Sequence, residues 1–382
     1  MTAGERRAQA RAVPPAGSGP AVLVVVEQLR RPVPGGIGTY GRGLLQGLRA
    51  VAAADGPVGG GPDVTLYASR PPVRPDPLAD LGFPLRSVPL PGPVLTRAWD
   101  RSLVAGPRGV DVVHAISLAT PPARGRPLVV MVHDLAWRHV PEAFPPRGRR
   151  WHEAALRRAR RRASHFMVSS VAVGQELVAD GVRPEAVTLI AHGSDHLPPP
   201  DEEAARDLLE RLGVTGEFLL SVGTLEPRKN LPRLFAAYAR ARPSLPGPWP
   251  LVVVGPAGWS QEGDPPGQGV VPAGPVGEAT LAALYRRARL LAYVPVEEGF
   301  GLPPLEAMRH GTPVVASAVP SVDEAALVVE PRSVPAMAEA LVRVATDDTV
   351  RADLVARGRA HAAPLTWEAA ARAHVAVWSS LR

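Results

Sequence analysis

The sequence contains no cysteine. This absence excludes disulfide bonds, thiolate zinc sites and cysteine nucleophiles, and it fits a reducing cytoplasm. Lysine is nearly absent as well: Lys229 is the only one, although lysines and arginines together number 43. A composition rich in alanine, arginine, proline and glycine explains why lysine is rare. It does not explain why a single lysine remains at this position.

Long apolar runs are also missing. The run AVLVVV at 21–26 is far shorter than the roughly 20 apolar residues of a membrane-spanning helix, and no signal-peptide core follows the basic N-terminal segment. Aromatic residues make up only 5% of the chain, so it lacks the basic and aromatic interleaving of a nucleic-acid site. We therefore expect a cytoplasmic protein that does not bind nucleic acid.

Positive charge is in excess. The net charge of +7 predicts an anionic partner, such as a phosphorylated substrate or an acidic lipid. Much of this charge lies in RGRRWHEAALRRARRR at 147–162, which is typical of a basic amphipathic helix. Its apolar face is thin, which favours a solvated face over docking on anionic lipid. Peripheral contact with the inner membrane face remains the alternative.

Short apolar runs rich in β-branched residues alternate with amphipathic stretches throughout the sequence. This alternation is typical of parallel sheets with helices on both faces. The segment LPPPDE at 197–202 interrupts it, and 382 residues exceed what one core usually supports. We predict an α/β protein with two Rossmann-like, doubly wound domains. Its parts are a flexible segment at 1–19, domains at 20–197 and 198–364, and a C-terminal helix at 365–382.

Ligands of doubly wound sheets bind in the loops that follow the strands. The first such loop contains Gly35 and Gly36 before a helix that we expect to begin near Thr39. Glycines there let backbone N–H groups approach an anion, although a tight strand–helix turn explains them equally well. The pattern is not GxGxxG, which disfavours NAD. A second loop places His133 at a strand end, where it either bonds a substrate hydroxyl or is hydrogen-bonded within the loop.

The third loop, TLEPRKN at 224–230, contains the single lysine. It follows a predicted strand and precedes a helix that Asn230 is expected to cap. Arg228 and Lys229 therefore lie at a helix N-terminus, where cations oppose the macrodipole. A bound anion would remove this conflict, and a compact ammonium suits a phosphate. A solvated basic pair is the alternative, but such pairs are usual at the opposite helix end.

The fourth loop, VEEGFGLPPLEAMRHGTPVVAS at 296–317, has an acid on either side of a predicted helix start. Glu298 lies before the helix and Glu306 lies one turn into it. Two carboxylates in these places suit polyol hydroxyls, while the helix N–H groups face a phosphate. Taken alone, Glu306 is simply a first-turn acid favoured by the dipole.

Taken in order, these motifs resemble the retaining GT-B glycosyltransferases of family 4, in the EPRKN-type, mannosyltransferase-like subgroup. The stretch from Glu298 to Glu306 resembles the E-x7-E signature, and VGTLEPRKN at 222–230 is similar to the donor-diphosphate loop. GGIGTY, VHDLAWRHVPEAF, AVTLIAHGSD and LTWEAAA match in order as well. The resemblance begins near residue 20 and covers nearly all of the chain.

The resemblance implies that the C-terminal domain binds a nucleotide-sugar donor, that the N-terminal domain binds the acceptor across a cleft, and that the C-terminal helix crosses back. It implies catalytic roles for Glu298 and His133. The implied diphosphate contacts are Lys229, Arg228, Thr224, Gly35 and Gly36. The implied sugar and ribose contacts are Glu298, Gly299, Phe300, Gly301, Leu302 and Glu306, and the base region is Gly255, Pro256 and Trp259.

Retention in this family is thought to proceed by front-face displacement, so the resemblance implies neither a covalent nucleophile nor a metal or other cofactor. The favoured donor is GDP-mannose, and the acceptor is a glycan, a lipid-linked sugar or a small molecule. Two alternatives remain. A nucleotide-sugar epimerase of GT-B fold would isomerise the donor without an acceptor, and a non-catalytic nucleotide-sugar-binding subunit would not turn it over.

Three positions depart from the family pattern. Thr224 stands where many relatives have arginine, Glu297 replaces an aromatic residue beside Glu298, and Ser321 stands where relatives carry glutamate. The change at Glu297 adds a like charge next to a proposed catalytic acid. The changes at Glu297 and Ser321 leave the donor preference open.

Overall fold

The computed structural model describes residues 19–55, 61–71, 76–247, 249–256 and 267–382. Seven parallel strands form the N-terminal sheet in the order β3-β2-β1-β4-β5-β6-β7. The strands are β1 (Ala21–Val25), β2 (Asp63–Ala68), β3 (Leu85–Ser87), β4 (Val112–Ala115), β5 (Leu128–Val132), β6 (His165–Val168) and β7 (Val187–Leu189). The helices of this half are α1 (Gly35–Asp55), α2 (Gly92–Asp100), α3 (Ala136–His139), α4 (Pro146–Arg162) and α5 (Val171–Ala179).

Six parallel strands form the second sheet in the order β10-β9-β8-β11-β12-β13. They are β8 (Leu219–Val222), β9 (Leu251–Val254), β10 (Val270–Gly274), β11 (Leu290–Tyr293), β12 (Val314–Ala316) and β13 (Leu327–Val328). The helices of the C-terminal half are α6 (Glu202–Arg211), α7 (Leu231–Ala241), α8 (Glu278–Arg287), α9 (Leu302–Arg309), α10 (Val334–Thr346), α11 (Asp348–Ala362) and α12 (Trp367–Ser380).

The two sheets confirm the predicted fold class, two Rossmann-like α/β domains. Their central strands are mostly apolar and almost entirely buried, as expected for strands covered by helices on both faces. In each sheet the strand order reverses beside the first strand, between β1 and β4 in one and between β8 and β11 in the other. Ligands of such sheets bind at the carboxyl ends of the strands on either side of that reversal.

The predicted start of α1 was wrong. The helix begins at Gly35, not near Thr39, because the amide of Gly38 already bonds the carbonyl of Pro34 at 3.3 Å and closes a turn. Gly35 adopts a φ of 61°, which glycine tolerates best. Gly35 and Gly36 therefore belong to the first helical turn, and both are exposed.

The last helix, α12, packs along α1 through two glycines of α1. A Cβ at Gly43 would enter the ring of Trp367, and one at Gly47 would collide with the Trp367 carbonyl. Trp367 itself is 1% exposed. The C-terminal helix thus lies against the N-terminal half of the chain. The exact domain boundaries remain predictions, and residues 1–18 of the predicted flexible segment lie outside the described residues.

The basic helix predicted at 147–162 corresponds to α4. Ala155, Leu156 and Ala159 form its buried face. Several of its arginines bond to groups of the same domain, as in Arg160–Asp180 at 3.4 Å and Arg162–Ser102 at 2.7 Å. Contact between this helix and an anionic membrane remains a prediction. In the described part of the chain, no helix is both long and apolar enough to cross a membrane.

We expect Gly47→Ala to destabilise the protein by about 1–3 kcal/mol, because a methyl group there overpacks the contact with the Trp367 backbone. Alanine is otherwise the better helix former by up to about 1 kcal/mol. The matched control is Gly148→Ala in α4, where the nearest atom to a new Cβ is 3.9 Å away. Urea unfolding should give a lower midpoint for Gly47→Ala than for the wild type and the control. Equal midpoints for the two variants would contradict the packing argument.

Candidate functional site

Lys229 lies at the point where the second sheet reverses its strand order. It ends a short 3-10 turn, Pro227–Lys229, between β8 and α7. Its side chain is 12% exposed. Tyr293 ends the neighbouring strand β11, and Glu298 follows in the next loop. The carboxyl ends of two adjacent parallel strands therefore place three polar side chains together.

Asn230 fixes the backbone at this turn. It is the only asparagine of the chain and adopts a left-handed conformation with φ 62°, which asparagine tolerates better than most residues. Its buried amide donates to the carbonyls of Val294 at 3.0 Å and Pro331 at 2.7 Å. Asn230 occupies the N-cap position of α7, but the predicted side-chain cap was wrong, because its amide oxygen accepts from Nη1 of Arg233 at 3.0 Å and not from a helix N–H.

The three side chains form one hydrogen-bonded cluster. The Lys229 ammonium donates to the Tyr293 hydroxyl at 2.8 Å and to the Glu298 carboxylate. The Tyr293 hydroxyl donates to the same Oε2 atom of Glu298 at 2.7 Å. Glu298 is thus held from two sides by groups of β11 and of the loop after β8.

Arg228 connects a second carboxylate to the cluster. Its Nη1 lies 3.2 Å from Glu298 Oε2, and its Nε lies 2.7 Å from Oε1 of Glu226. Burial disfavours the Glu298 carboxylate, but Lys229 and Arg228 outweigh burial and hold its pKa well below the ordinary value. Burial raises the pKa of Glu226. The site therefore holds two cations, Lys229 and Arg228, whose charge Glu226 and Glu298 balance in this structure.

Two members of this cluster, Tyr293 and Glu226, were not among the predicted site residues. Tyr293 looks like an ordinary strand residue because it ends an apolar run. Glu226 is a single acid in a loop, with no spacing that marks it. The signal that could have found Tyr293 is its place at the carboxyl end of the strand before the Glu298 loop.

His133 meets the Glu298 loop from the other domain. A Cβ at Gly299 would collide with the His133 carbonyl, so only glycine permits this approach. The Ser169 hydroxyl lies 3.2 Å from that carbonyl and 3.3 Å from the carbonyl of Gly299. Ser169 thereby bridges the two domains, and sequence reasoning missed it because a serine after a strand carries no motif.

The His133 ring itself is hydrogen-bonded within the N-terminal domain. Its Nε2 lies 2.9 Å from the carbonyl of Ile116, which requires an N–H on that nitrogen. Burial lowers the pKa of His133 despite this bond. The ring is therefore neutral near neutral pH. Its contact with a donor sugar remains a prediction.

Glu306 is buried in α9 and is separate from the Lys229 cluster. The Tyr285 hydroxyl donates to its Oε2 at 2.8 Å, and His196 Nε2 lies 3.2 Å from its Oε1. His196 in turn accepts the indole N–H of Trp367 at 3.2 Å. The acid predicted to bind ribose is thus fixed by the segment between the domains and by the C-terminal helix. Its ribose contact remains a prediction.

The residues between the two acids line the start of α9. Phe300 packs against His192, with ring centroids 4.6 Å apart. Gly301 adopts φ 94°, and Leu302 begins the helix. The hydroxyl of Ser321 donates to the Gly301 carbonyl at 2.5 Å. The serine that departs from the family pattern therefore supports the loop itself.

The remaining predicted residues lie either around the loop at 224–230 or apart from it. Thr224 lines a small pocket together with Lys229 and Tyr293. Gly255 packs directly on the carbonyl of Gly223, and the Pro256 carbonyl accepts the amide of Leu225 at 3.1 Å. Trp259 lies outside the described residues. Open space surrounds Gly35 and Gly36 in the other domain, so their diphosphate contact remains a prediction.

Two family models match this chain. "Glycosyltransferase Family 4" covers residues 34–196, and "Glycosyl transferases group 1" covers residues 216–347. The chain is also similar to the O-antigen chain mannosyltransferase B of Escherichia coli. The two are 31% identical over 269 residues, which is 65% of this chain and 68% of that protein. The chain belongs to glycosyltransferase family 4.

Other known proteins are also similar to this family 4 glycosyltransferase. The serotype-specific mannosyltransferase WbdA of Escherichia coli is 29% identical over 189 residues, 46% of this chain, and the match spans only 23% of the length of WbdA. The structure of Anabaena HepE in complex with UDP and glucose superimposes with a TM-score of 0.69 at 20% identity. It covers 95% of this chain and 100% of HepE, and at this identity it shows the shared GT-B fold.

We expect Tyr293→Phe to lower kcat/KM by roughly tenfold to a hundredfold, because a hydrogen bond to a charged carboxylate contributes about 1.5–3 kcal/mol. Tyr238→Phe is the matched control. Its buried hydroxyl bonds the Trp249 and Gly269 carbonyls at 2.8 and 3.2 Å, and neither carbonyl belongs to the cluster. Steady-state kinetics and thermal unfolding on both variants separate activity from stability. A Tyr293→Phe enzyme no slower than the control would exclude a role for this hydroxyl.

Proposed function

We propose that the protein transfers mannose from GDP-mannose to a glycan, a lipid-linked sugar or a small-molecule acceptor, with retention and without a metal ion. The observation that carries this proposal is the buried cluster of Lys229, Arg228, Tyr293 and Glu298 at the strand-order reversal of the C-terminal domain. Its position is where a doubly wound domain binds a nucleotide.

The cluster suits a diphosphate leaving group. As the bond to the sugar breaks, negative charge develops on the diphosphate, and fixed cations in a dry site stabilise it. Lys229 and Arg228 supply that charge in front of α7, whose N-terminus adds its positive dipole end. A phosphate bound there would share the cations that Glu298 now holds.

Glu298 has a separate role in this proposal. Lys229 and Arg228 keep it ionised as long as they contact it, so it remains a carboxylate while they are shared with the donor. A carboxylate beside the sugar stabilises the oxocarbenium-like transition state. The proposal includes no covalent nucleophile, because displacement takes place on one face of the sugar. On the side of the N-terminal domain, the carbonyl of His133 lies directly against Gly299 and closes the site.

The choice of mannose rests on the relatives, since both E. coli proteins are named as mannosyltransferases. The structure of HepE holds UDP and glucose, so the base and the sugar need a direct test. A thermal-shift panel of GDP-mannose, UDP-glucose, UDP-N-acetylglucosamine and dTDP-glucose provides it. At a hundred times its Kd, a donor should add about 2.7 kcal/mol of stability.

Stabilisation by GDP-mannose alone is the expected result. A response to UDP-sugars alone would overturn the donor assignment, and no response to any donor would contradict donor binding. With an acceptor present, NMR should show an α-linked product from the α-linked donor, and excess EDTA should not slow the reaction. Isomerisation of the donor without an acceptor would instead identify an epimerase.

We expect Lys229→Arg to lower kcat/KM at least about a hundredfold, because a planar guanidinium cannot replace an ammonium held between a hydroxyl and a carboxylate. The chain has no other lysine, so the matched control is the reverse exchange, Arg240→Lys, at an exposed position of α7. Initial rates of transfer with a fixed donor measure both. Near-normal transfer by Lys229→Arg would mean that the single lysine is an accident of composition.

A further inference from the structure

The ring of His139 lies between two carboxylates that belong to different domains. Its Nε2 lies 3.0 Å from Oε1 of Glu176 in α5, and its Nδ1 lies 3.1 Å from Oε1 of Glu297. His139 ends α3 in the N-terminal domain. Glu297 belongs to the loop after β11 in the C-terminal domain. The histidine therefore joins the two domains beside the Glu298 loop.

Both nitrogens of this ring face an acceptor. A neutral imidazole has one N–H and can donate to only one carboxylate, whereas an imidazolium donates to both. The observed arrangement therefore favours the imidazolium, with a proton on each nitrogen. At 38% exposure, the His139 side chain can exchange that proton with solvent.

Glu297 is the residue directly before Glu298. The residue directly after Glu298, Gly299, contacts the His133 backbone and the Ser169 hydroxyl of the other domain. The catalytic acid proposed above is thus flanked on both sides by cross-domain contacts.

We propose that protonated His139 bridges Glu176 and Glu297 and thereby closes the cleft and positions the Glu298 loop for transfer. His139 and Glu297 are positioning residues in this proposal, since they act through the loop and do not touch the donor. The catalytic consequence rests on the function proposed above. The bridge between His139 and the two carboxylates does not depend on the proposed function.

The surroundings of His139 set the direction of its pH dependence. Partial burial opposes the charged ring, but the bonds to Glu297 and Glu176 outweigh it and raise the pKa of His139 above its ordinary value of 6.5. The adjacent Arg138 points away, to Glu153 and Asp180. The bridge is therefore fully present below pH 6.5 and is lost as pH rises through the raised pKa.

The bridge can be tested without any substrate, by measuring the distance between the two domains. Because the sequence has no cysteine, Glu185→Cys and Asp353→Cys introduce two specific labelling sites, on exposed side chains of the two domains. Energy transfer between two dyes should be high at about pH 6 and fall toward about pH 9. The kcat of transfer should fall about two- to fivefold over the same range, as suits a partly exposed ion pair.

Two substitutions of the same residue separate charge from structure. His139→Arg keeps a cation at every pH, so its dye distance should stay short from about pH 6 to about pH 9. His139→Gln and Glu297→Gln should both have the long distance at every pH. The matched control is His165→Gln, whose ring bonds Thr188 at 2.8 Å at the far end of β6 and should leave the titration unchanged.

A wild-type distance that does not change with pH would overturn the proposal, as would the same pH dependence in His139→Arg. A distance that titrates as expected, in a protein that transfers no sugar from any donor, would support the bridge and contradict the proposed function. Sugar transfer by a protein whose dye distance does not change with pH would support the proposed function and contradict the bridge.

Discussion

The arrangement of the site depends on one interaction, the sharing of Glu298 between Lys229 and Arg228. These charges are mostly buried, and removing one partner of a buried pair typically costs about 3–5 kcal/mol. The course of the backbone holds these three side chains together. The strand order places the ends of β8 and β11 side by side, and the left-handed turn at Asn230 holds the first of these ends against the second. The cations are thus fixed before any donor arrives, so binding does not have to order them.

The Glu298 loop also forms the contact between the domains. Gly299 lies on the His133 carbonyl, and Glu297 pairs with His139. A movement of one domain against the other must therefore move the loop that holds the acid. Glu306 is connected in a similar way, through His196 and Trp367, to the helix that returns to the N-terminal domain. The relative position of the domains is consequently coupled to the placement of both acids, Glu298 and Glu306.

Local patterns in the sequence were sufficient to predict the α/β class, because buried parallel strands and amphipathic helices each have their own period. They also drew attention to Lys229 and Glu298, which lie in motifs. They could not reveal that Glu297 meets His139, since the two are 158 positions apart and pair only in the folded chain. The side chain of Asn230 was expected to cap a helix for a related reason. The carbonyls to which its N–H groups donate, of Val294 and Pro331, are distant in sequence and could not be foreseen.

The scarcity of lysine also makes the chain a selective target for amine chemistry. Reagents that acylate amines modify many surface lysines on an ordinary protein, but here they meet one side-chain amine, which is 12% exposed. That nitrogen can attack only after it has lost its proton, which its contacts with Glu298 and Tyr293 oppose. The rate of acylation at Lys229 therefore follows how often this buried ion pair separates. Measuring the rate of this acylation therefore reports how often the site opens.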